Sequence, residues 1–158
     1  MSNPSVLFVC TANICRSPMA EALFRAHLQK KLPGECENWR IESAGTWASD
    51  GEAISTNSQQ VLVRRGLSLE HHQSRTVTAE MLANFNLILT MEAGHKEALQ
   101  VEFPGAARKI FLLGEMTGAP KGVSDPYGQS LESYERTANL IQTIIDKGFD
   151  RIVSLATK

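Results

Sequence analysis

The chain has 158 residues, 42% of them apolar and 21% charged, so it is long enough for one domain with its own core. Sixteen Lys and Arg against seventeen Asp and Glu leave a net charge of −1, which argues against bulk attraction to nucleic acid or to a membrane surface. No apolar run approaches the roughly 18 residues of a membrane span, and the amino terminus lacks the basic region of a signal peptide.

Strand-like and helix-like segments alternate along residues 1–158, without a linker that would divide them into two domains. In chain order, the pattern predicts a strand at 6–10, a helix at 19–32, a strand at 39–45, helices at 55–65 and 78–84, a strand at 86–91, a helix at 93–101, a strand at 109–113 and a helix at 130–147. Ser17 is the expected N-cap of the first helix, with Pro18 at its first position. The alternation favours a single-domain α/β fold with an open, mainly parallel sheet and helices on both faces.

Cys10 and Arg16 frame the loop between the first strand and the first helix, with five residues between them. Ligands bind at the carboxyl ends of strands in such sheets, where backbone N–H groups and the helix dipole attract an oxyanion. A Cys10 thiolate is a suitable nucleophile for phosphorus, and Arg16 is suited to hold two phosphoryl oxygens in a bidentate fork. Asn13 fits a positive-φ position in this loop, and the Ser17 hydroxyl is placed to donate to the sulfur.

Phosphoryl transfer through a phosphocysteine also requires a general acid for the leaving group, which then serves as the base for water. Asp125 is the best candidate, because Pro126 restricts the backbone of its loop and Tyr127 lies next to it. An Asp-Pro turn without a catalytic role is commoner in proteins, so this assignment depends on the Cys10 loop.

The cysteines fit a structural or metal-binding role less well. Cys10 alone would also suit a buried strand end, with Arg16 as a surface charge. A zinc site of Cys10, Cys15, Cys36 and His27 has poor ligand spacing, and the loop lacks the Gly-Lys-Ser/Thr ending of a nucleotide-binding P-loop. An odd number of cysteines fits free thiols in a reducing compartment, so we expect a soluble cytoplasmic protein.

Taken together, these segments resemble the low-molecular-weight protein tyrosine phosphatases, whose pattern is Cys-x4-Cys-Arg-Ser near the amino terminus and Asp-Pro near the carboxyl terminus. The shared segments span nearly the whole chain, at residues 10–18, 43–45, 72–75, 87–91 and 125–127. The resemblance implies a doubly wound sheet of four parallel strands and hydrolysis of phosphomonoesters with neither cofactor nor metal. It assigns Cys10 as nucleophile, Arg16 as the transition-state clamp and Asp125 as general acid.

The resemblance also implies the residues around this centre. A phosphate-binding loop would contain Thr11, Ala12, Asn13, Ile14, Cys15 and Ser17. Ser43 and His72 would support the loop, although His71 leaves the register of the histidine open. Ile14, Trp47 and Tyr127 would wall a slot for a phenyl phosphate, with ordinary packing as the alternative for the two aromatic residues. Cys15 would either form a reversible disulfide that protects Cys10 or fill the loop interior.

Substrate choice within the fold depends on a few positions. Protein-arginine phosphatases resemble this chain in the single aromatic residue Tyr127 after Asp-Pro and in the Trp47 segment, but they carry threonine where Ile14 stands. Ile14 is typical of tyrosine phosphatases, so we expect phosphotyrosine as the substrate, with phosphoarginine as the alternative.

Arsenate reductases of similar pattern need further cysteines, and residues 37–158 contain none. A non-catalytic phosphate-binding module needs neither a thiol nor an acid, so the presence of Cys10, Arg16 and Asp125 together argues against that function. Expected partners are phosphorylated proteins and inorganic phosphate, with the protein a monomer or weak dimer.

Overall fold

The computed structural model describes residues 3–158. Its strands are β1 (Ser5–Cys10), β2 (Arg40–Gly45), β3 (Leu87–Thr90) and β4 (Ile110–Leu112), and they form one sheet in the order β2-β1-β3-β4. All three neighbouring pairs are parallel, so each connection must cross over the sheet. The predicted α/β fold with four parallel strands is confirmed.

Helices cover both faces of the sheet. They are α1 (Arg16–Lys31), α2 (Thr56–Arg64), α3 (Ala79–Asn84), α4 (Ala93–Glu102) and α5 (Leu131–Ala156). Side chains alternate along β1, so Val6 and Phe8 join the core under α1, α2 and α5, while Leu7 and Val9 join the core under α3 and α4. None of the helices in residues 3–158 has the length and apolar character needed to cross a bilayer.

Two predicted helix boundaries are wrong. The first helix begins at Arg16, with Cys15 rather than Ser17 in the N-cap position, and Ser17 is buried inside its first turn. The last helix was predicted to end at residue 147, before Gly148, but it continues through this glycine to Ala156. A Cβ at Gly148 would lie 2.6 Å from the Cβ of Met116, so this glycine serves close packing of α5 on the segment after β4.

The end of β2 holds the loop that follows β1. Thr46 N–H donates to the Cys10 carbonyl at 2.8 Å, and Trp47 N–H donates to the Thr11 carbonyl at 3.0 Å. A Cβ at Gly45 would lie 2.3 Å from that Thr11 oxygen, so only glycine permits this approach. The loop is therefore fixed at the carboxyl edge of the sheet, where a ligand site is expected.

Candidate active site

A cavity of about 250 Å³ opens at this edge of the sheet. It is lined by Cys10, Thr11, Ala12, Ile14, Cys15, Arg16, Glu52, Asp125 and Tyr127. The loop after β1 supplies one wall, and the segment between β4 and α5 supplies Asp125 from more than a hundred positions away. The structure thus brings the predicted nucleophile, arginine and acid to one cavity.

The sulfur of Cys10 has a hydroxyl directed at it. Cys10 Sγ lies 3.0 Å from Ser17 Oγ, and the Asn13 side-chain amide donates to the same oxygen at 2.9 Å. The Ser17 proton therefore remains for the sulfur or for the Ala44 carbonyl, which is more distant at 3.4 Å. A charged sulfur is a stronger acceptor than a carbonyl oxygen, so Ser17 is placed to donate to a thiolate at Cys10.

The guanidinium of Arg16 is paired at Nη1 and unpaired at Nε. Its Nη1 forms an ion pair with Glu92 and donates to the Val123 carbonyl at 2.8 Å, while Nη2 lies 3.6 Å from Asp125 Oδ2. Nε is buried and finds no acceptor within residues 3–158. Arg16 is 2% exposed, so Glu92 compensates a buried charge. The Nε and Nη2 edge remains suited to a bidentate oxyanion.

Asn13 sets the shape of the loop. Its φ is +60°, a left-handed conformation that asparagine tolerates better than most residues. Its amide donates to Ser17 and to Ser43 Oγ at 3.0 Å, and its side-chain oxygen accepts from Arg75 N–H at 3.1 Å. Both amide protons and the oxygen of this buried side chain therefore hold the loop in place.

His72, not His71, contacts the loop. His72 Nε2 donates to the Asn13 carbonyl at 2.7 Å, whereas the His71 side chain is 95% exposed. Ser43 receives its hydrogen bond from Asn13 and donates to Glu21 at 2.7 Å. Both predicted supporting side chains therefore lie behind the loop, on the side away from the cavity lining.

Cys15 is a buried thiol beside the cavity. Its Sγ lies 3.4 Å from Ser55 Oγ and 3.6 Å from the Tyr134 hydroxyl. Burial raises the pKa of the Cys15 thiol, and burial likewise raises the pKa of Tyr134, so both groups are neutral near pH 7. All three cysteines are free, and a disulfide between Cys15 and Cys10 stays a prediction.

Asp125 lies at the mouth of the cavity. Its Oδ1 accepts from Tyr127 N–H at 3.0 Å, which orients the carboxylate, and its side chain is 45% exposed. Tyr127 lines the cavity, but Trp47 does not. Trp47 is 84% exposed, so the prediction of Trp47 as a pocket wall is wrong, and core packing does not account for it either. The loop that carries Trp47 directs it into solvent.

Three acidic or basic residues near the cavity escaped prediction from the sequence. Glu92 and His95 follow β3, where charged residues at a strand end were an available signal that the prediction did not use. Glu52 lies in an irregular loop whose sequence carries no such signal. Within residues 3–158, no group of three or more His, Cys, Asp and Glu side chains is arranged to hold a metal ion. Cys10, Cys15, Cys36 and His27, considered above as zinc ligands, therefore do not form such a group.

Comparison with known proteins identifies the chain. The family described as low molecular weight phosphotyrosine protein phosphatase matches residues 5–154. The chain belongs to this family. The resemblance inferred from the motifs is therefore confirmed, and with it the class of enzyme, a hydrolase of phosphoesters.

Relatives of this phosphatase include enzymes of two specificities. The protein-arginine-phosphatase of Geobacillus stearothermophilus is 35% identical over 143 residues, which cover 90% of this chain and 91% of that protein. The low molecular weight protein-tyrosine-phosphatase Etp of Escherichia coli K12 is 36% identical over 138 residues, which cover 87% of each. The low molecular weight protein tyrosine phosphatase of T. tengcongensis superposes with a TM-score of 0.86 at 38% identity, covering 93% of this chain and 98% of the other.

Proposed function

We propose that this phosphatase hydrolyses phosphotyrosine in proteins through a phosphocysteine on Cys10. The observation that carries the proposal is that Cys10, whose Sγ pairs with Ser17, lines one cavity with Asp125 and with Arg16, whose Nε has no partner among residues 3–158. A thiol nucleophile, an oxyanion clamp and an acid are what covalent phosphoryl transfer requires.

In the first step, the Cys10 thiolate attacks phosphorus and an S–P bond forms as the P–O bond to the tyrosine breaks. Protonated Asp125 gives its proton to the departing phenolic oxygen. The Nε and Nη2 groups of Arg16 stabilise the charge on the equatorial phosphoryl oxygens. Backbone N–H groups of residues 12–15 donate to no other described residue, so they are available to the same oxygens.

In the second step, water attacks the phosphocysteine and Asp125, now ionised, accepts its proton. A new O–P bond forms and the S–P bond breaks, which releases inorganic phosphate and restores the Cys10 thiolate. Ser17 donates to the sulfur as it leaves, because its hydroxyl lies 3.0 Å away. Asp125 returns to the protonated form required for the next substrate.

Ile14 and Tyr127 support tyrosine as the substrate. Both line the cavity, so a phenyl ring would pack between an aliphatic and an aromatic side chain. The shorter phosphoserine would not bring its phosphorus to Cys10 while filling this slot. Free thiols at all three cysteines support a cytoplasmic location, and we expect a monomer or weak dimer acting on phosphorylated proteins.

A second candidate, the hydrolysis of phosphoarginine, is favoured by Glu52. This residue lines the cavity, and its carboxylate has no hydrogen bond or ion pair with residues 3–158. Its backbone is fixed by Ser74, whose N–H donates to the Glu52 carbonyl at 2.8 Å. A carboxylate at the mouth attracts a guanidinium more strongly than a phenyl ring. We rank this candidate second because Ile14 offers the substrate no hydrogen bond.

Metal-free hydrolysis of para-nitrophenyl phosphate by the wild type and by Cys10→Ser tests the enzyme. We expect turnover in the wild type and its loss in the variant, and turnover that survives in Cys10→Ser would refute the proposed nucleophile. Phosphotyrosine and phosphoarginine peptides of matched sequence, with the wild type and Ile14→Thr, then test the substrate. A wild-type preference for phosphoarginine would replace the first candidate with the second.

A further inference from the structure

His95 connects two groups on opposite sides of Arg16. Its Nε2 lies 2.8 Å from Thr11 Oγ1, on the loop after β1, and its Nδ1 lies 3.1 Å from the Glu92 backbone N–H. Glu92 forms the ion pair with Arg16, and Arg16 Nη2 lies 3.5 Å from Thr11 Oγ1. Arg16, Thr11, His95 and Glu92 therefore form a closed ring of contacts.

The contacts of His95 determine its tautomer. A backbone N–H can only donate, so Nδ1 accepts from Glu92 and carries no proton. The proton of the neutral ring is then on Nε2, which donates to Thr11 Oγ1. This contact lies at the start of α4, where Glu92 is the N-cap residue and its backbone carbonyl accepts from His95 N–H at 3.1 Å.

We propose that neutral His95 is a positioning residue, which holds Thr11 and Glu92 against Arg16 and so orients the guanidinium for the phosphoryl group. The inference rests on the proposed function. His95 itself does not line the cavity, so its effect passes through its two partners. Glu92 lies between β3 and α4, and Thr11 lies in the loop after β1.

Protonation of His95 would break this arrangement. A proton on Nδ1 would face the Glu92 N–H, two donors would oppose each other, and the capping contact would be lost. The charged groups that face the ring are Arg16, Glu92 and Asp125. Burial first, and then the charge of Arg16, lowers the pKa of His95 from 6.5, while the two carboxylates act in the opposite direction. The neutral form is therefore the working form near pH 7.

Two substitutions separate the two contacts. His95→Asn retains an acceptor near the Nδ1 position, for Glu92, and loses the donor to Thr11. His95→Gln retains a donor near the Nε2 position, for Thr11, and loses the acceptor. Each removes about one hydrogen bond, so we expect kcat to fall roughly three- to tenfold in each, and further in His95→Leu. Exposed His71→Asn is the matched control and leaves kcat unchanged.

The pH dependence distinguishes positioning from a merely structural role. The ratio of wild-type to variant kcat/KM should be largest near pH 7 and fall toward one as the pH drops through the lowered pKa of wild-type His95. Substrate ionisation cancels in this ratio. Thermal unfolding of each variant checks that it is folded.

The outcomes separate the two proposals. Cys10-dependent turnover with a pH-independent ratio, or with no loss in either variant, overturns the role of His95 and leaves the proposed function standing. Wild-type protein without Cys10-dependent turnover overturns the proposed function, and the positioning role with it.

Discussion

The Cys10 sulfur lies 3.0 Å from the hydroxyl oxygen of Ser17, which stands in the first turn of α1. Because the Asn13 amide donates to this oxygen, the hydroxyl proton remains for the sulfur or for the more distant Ala44 carbonyl. One buried serine thus links the shape of the loop to the Cys10 sulfur. The helix that follows β1 would supply a thiolate at Cys10 with a hydrogen bond as well as a dipole.

Replacing Ser17 with alanine removes this hydrogen bond. A bond to a charged group contributes about 1.5–3 kcal/mol, so we expect kcat to fall roughly ten- to a hundredfold with para-nitrophenyl phosphate. Ser43→Ala is the comparison, because it removes a contact of Asn13 but none of Cys10. Equal losses in the two variants would show that loop shape alone accounts for the effect.

Asp125→Asn tests the general acid through the leaving group. Loss of a general acid costs about 10²- to 10⁴-fold, and the cost falls for leaving groups that need no protonation. We expect a large loss of kcat/KM with a phosphotyrosine peptide and a smaller one with para-nitrophenyl phosphate. The exposed Asp50→Asn, outside the cavity, serves as control. An identical loss with both substrates would contradict the role of Asp125.

Gly148→Ala and Gly94→Ala should have opposite effects on stability. A Cβ at Gly148 would lie 2.6 Å from Met116 Cβ, so overpacking should destabilise the fold by about 1–3 kcal/mol. Gly94, within α4, has no atom within 4 Å of such a Cβ, and alanine there should stabilise by up to about 1 kcal/mol. Urea unfolding measures both free energies. A urea midpoint of Gly148→Ala equal to that of the wild type would disprove the close contact with Met116.

Glu42 makes stability depend on pH. Burial alone would raise the pKa of Glu42, but hydrogen bonds from Arg40 and Arg75 outweigh it and lower that pKa below 4.5. A lowered carboxyl pKa contributes stability that is present above pH 4.5 and is lost as the pH falls through the folded-state value.

Glu42→Gln should therefore destabilise the protein at pH 7, with a difference from wild type that shrinks at lower pH. The difference in urea midpoint between the two proteins, measured from about pH 7 down to about pH 3.5, reports this change. Glu97→Gln is the matched control, since Glu97 is exposed and has no ion pair with residues 3–158. A difference that stays constant with pH would exclude the ion pairs as its cause.

Prediction from the sequence was most successful where the structure is local. The order of strands and helices follows from apolar runs and their periods, and it predicts a parallel sheet because of the way crossovers pack. The loop from Cys10 to Arg16 lies between adjacent elements, so its residues are brought together by a few covalent bonds. The prediction that this loop binds a phosphoryl group rests on those residues.

Contacts between distant segments were decided by the tertiary structure. Glu92 reaches Arg16 and His95 reaches Thr11 because β3 pairs beside β1. That strand order is a property of the tertiary structure. The choice of His72 over His71, and the exclusion of Trp47 from the cavity, depend on the paths of irregular loops. Ser17 was predicted both as a helix cap and as a donor to the Cys10 sulfur. It does not cap the helix, because the helix begins one residue before it, but its hydroxyl oxygen lies 3.0 Å from that sulfur.

The sequence by itself determined the fold class, and it predicted the loop that carries the nucleophile and the acid. Only the tertiary structure decided which charges surround Arg16 and which side chains line the cavity. The physical reason is that secondary structure and turn chemistry depend on residues near each other in the chain. The electrostatic environment of a buried group depends instead on every element that packs against it.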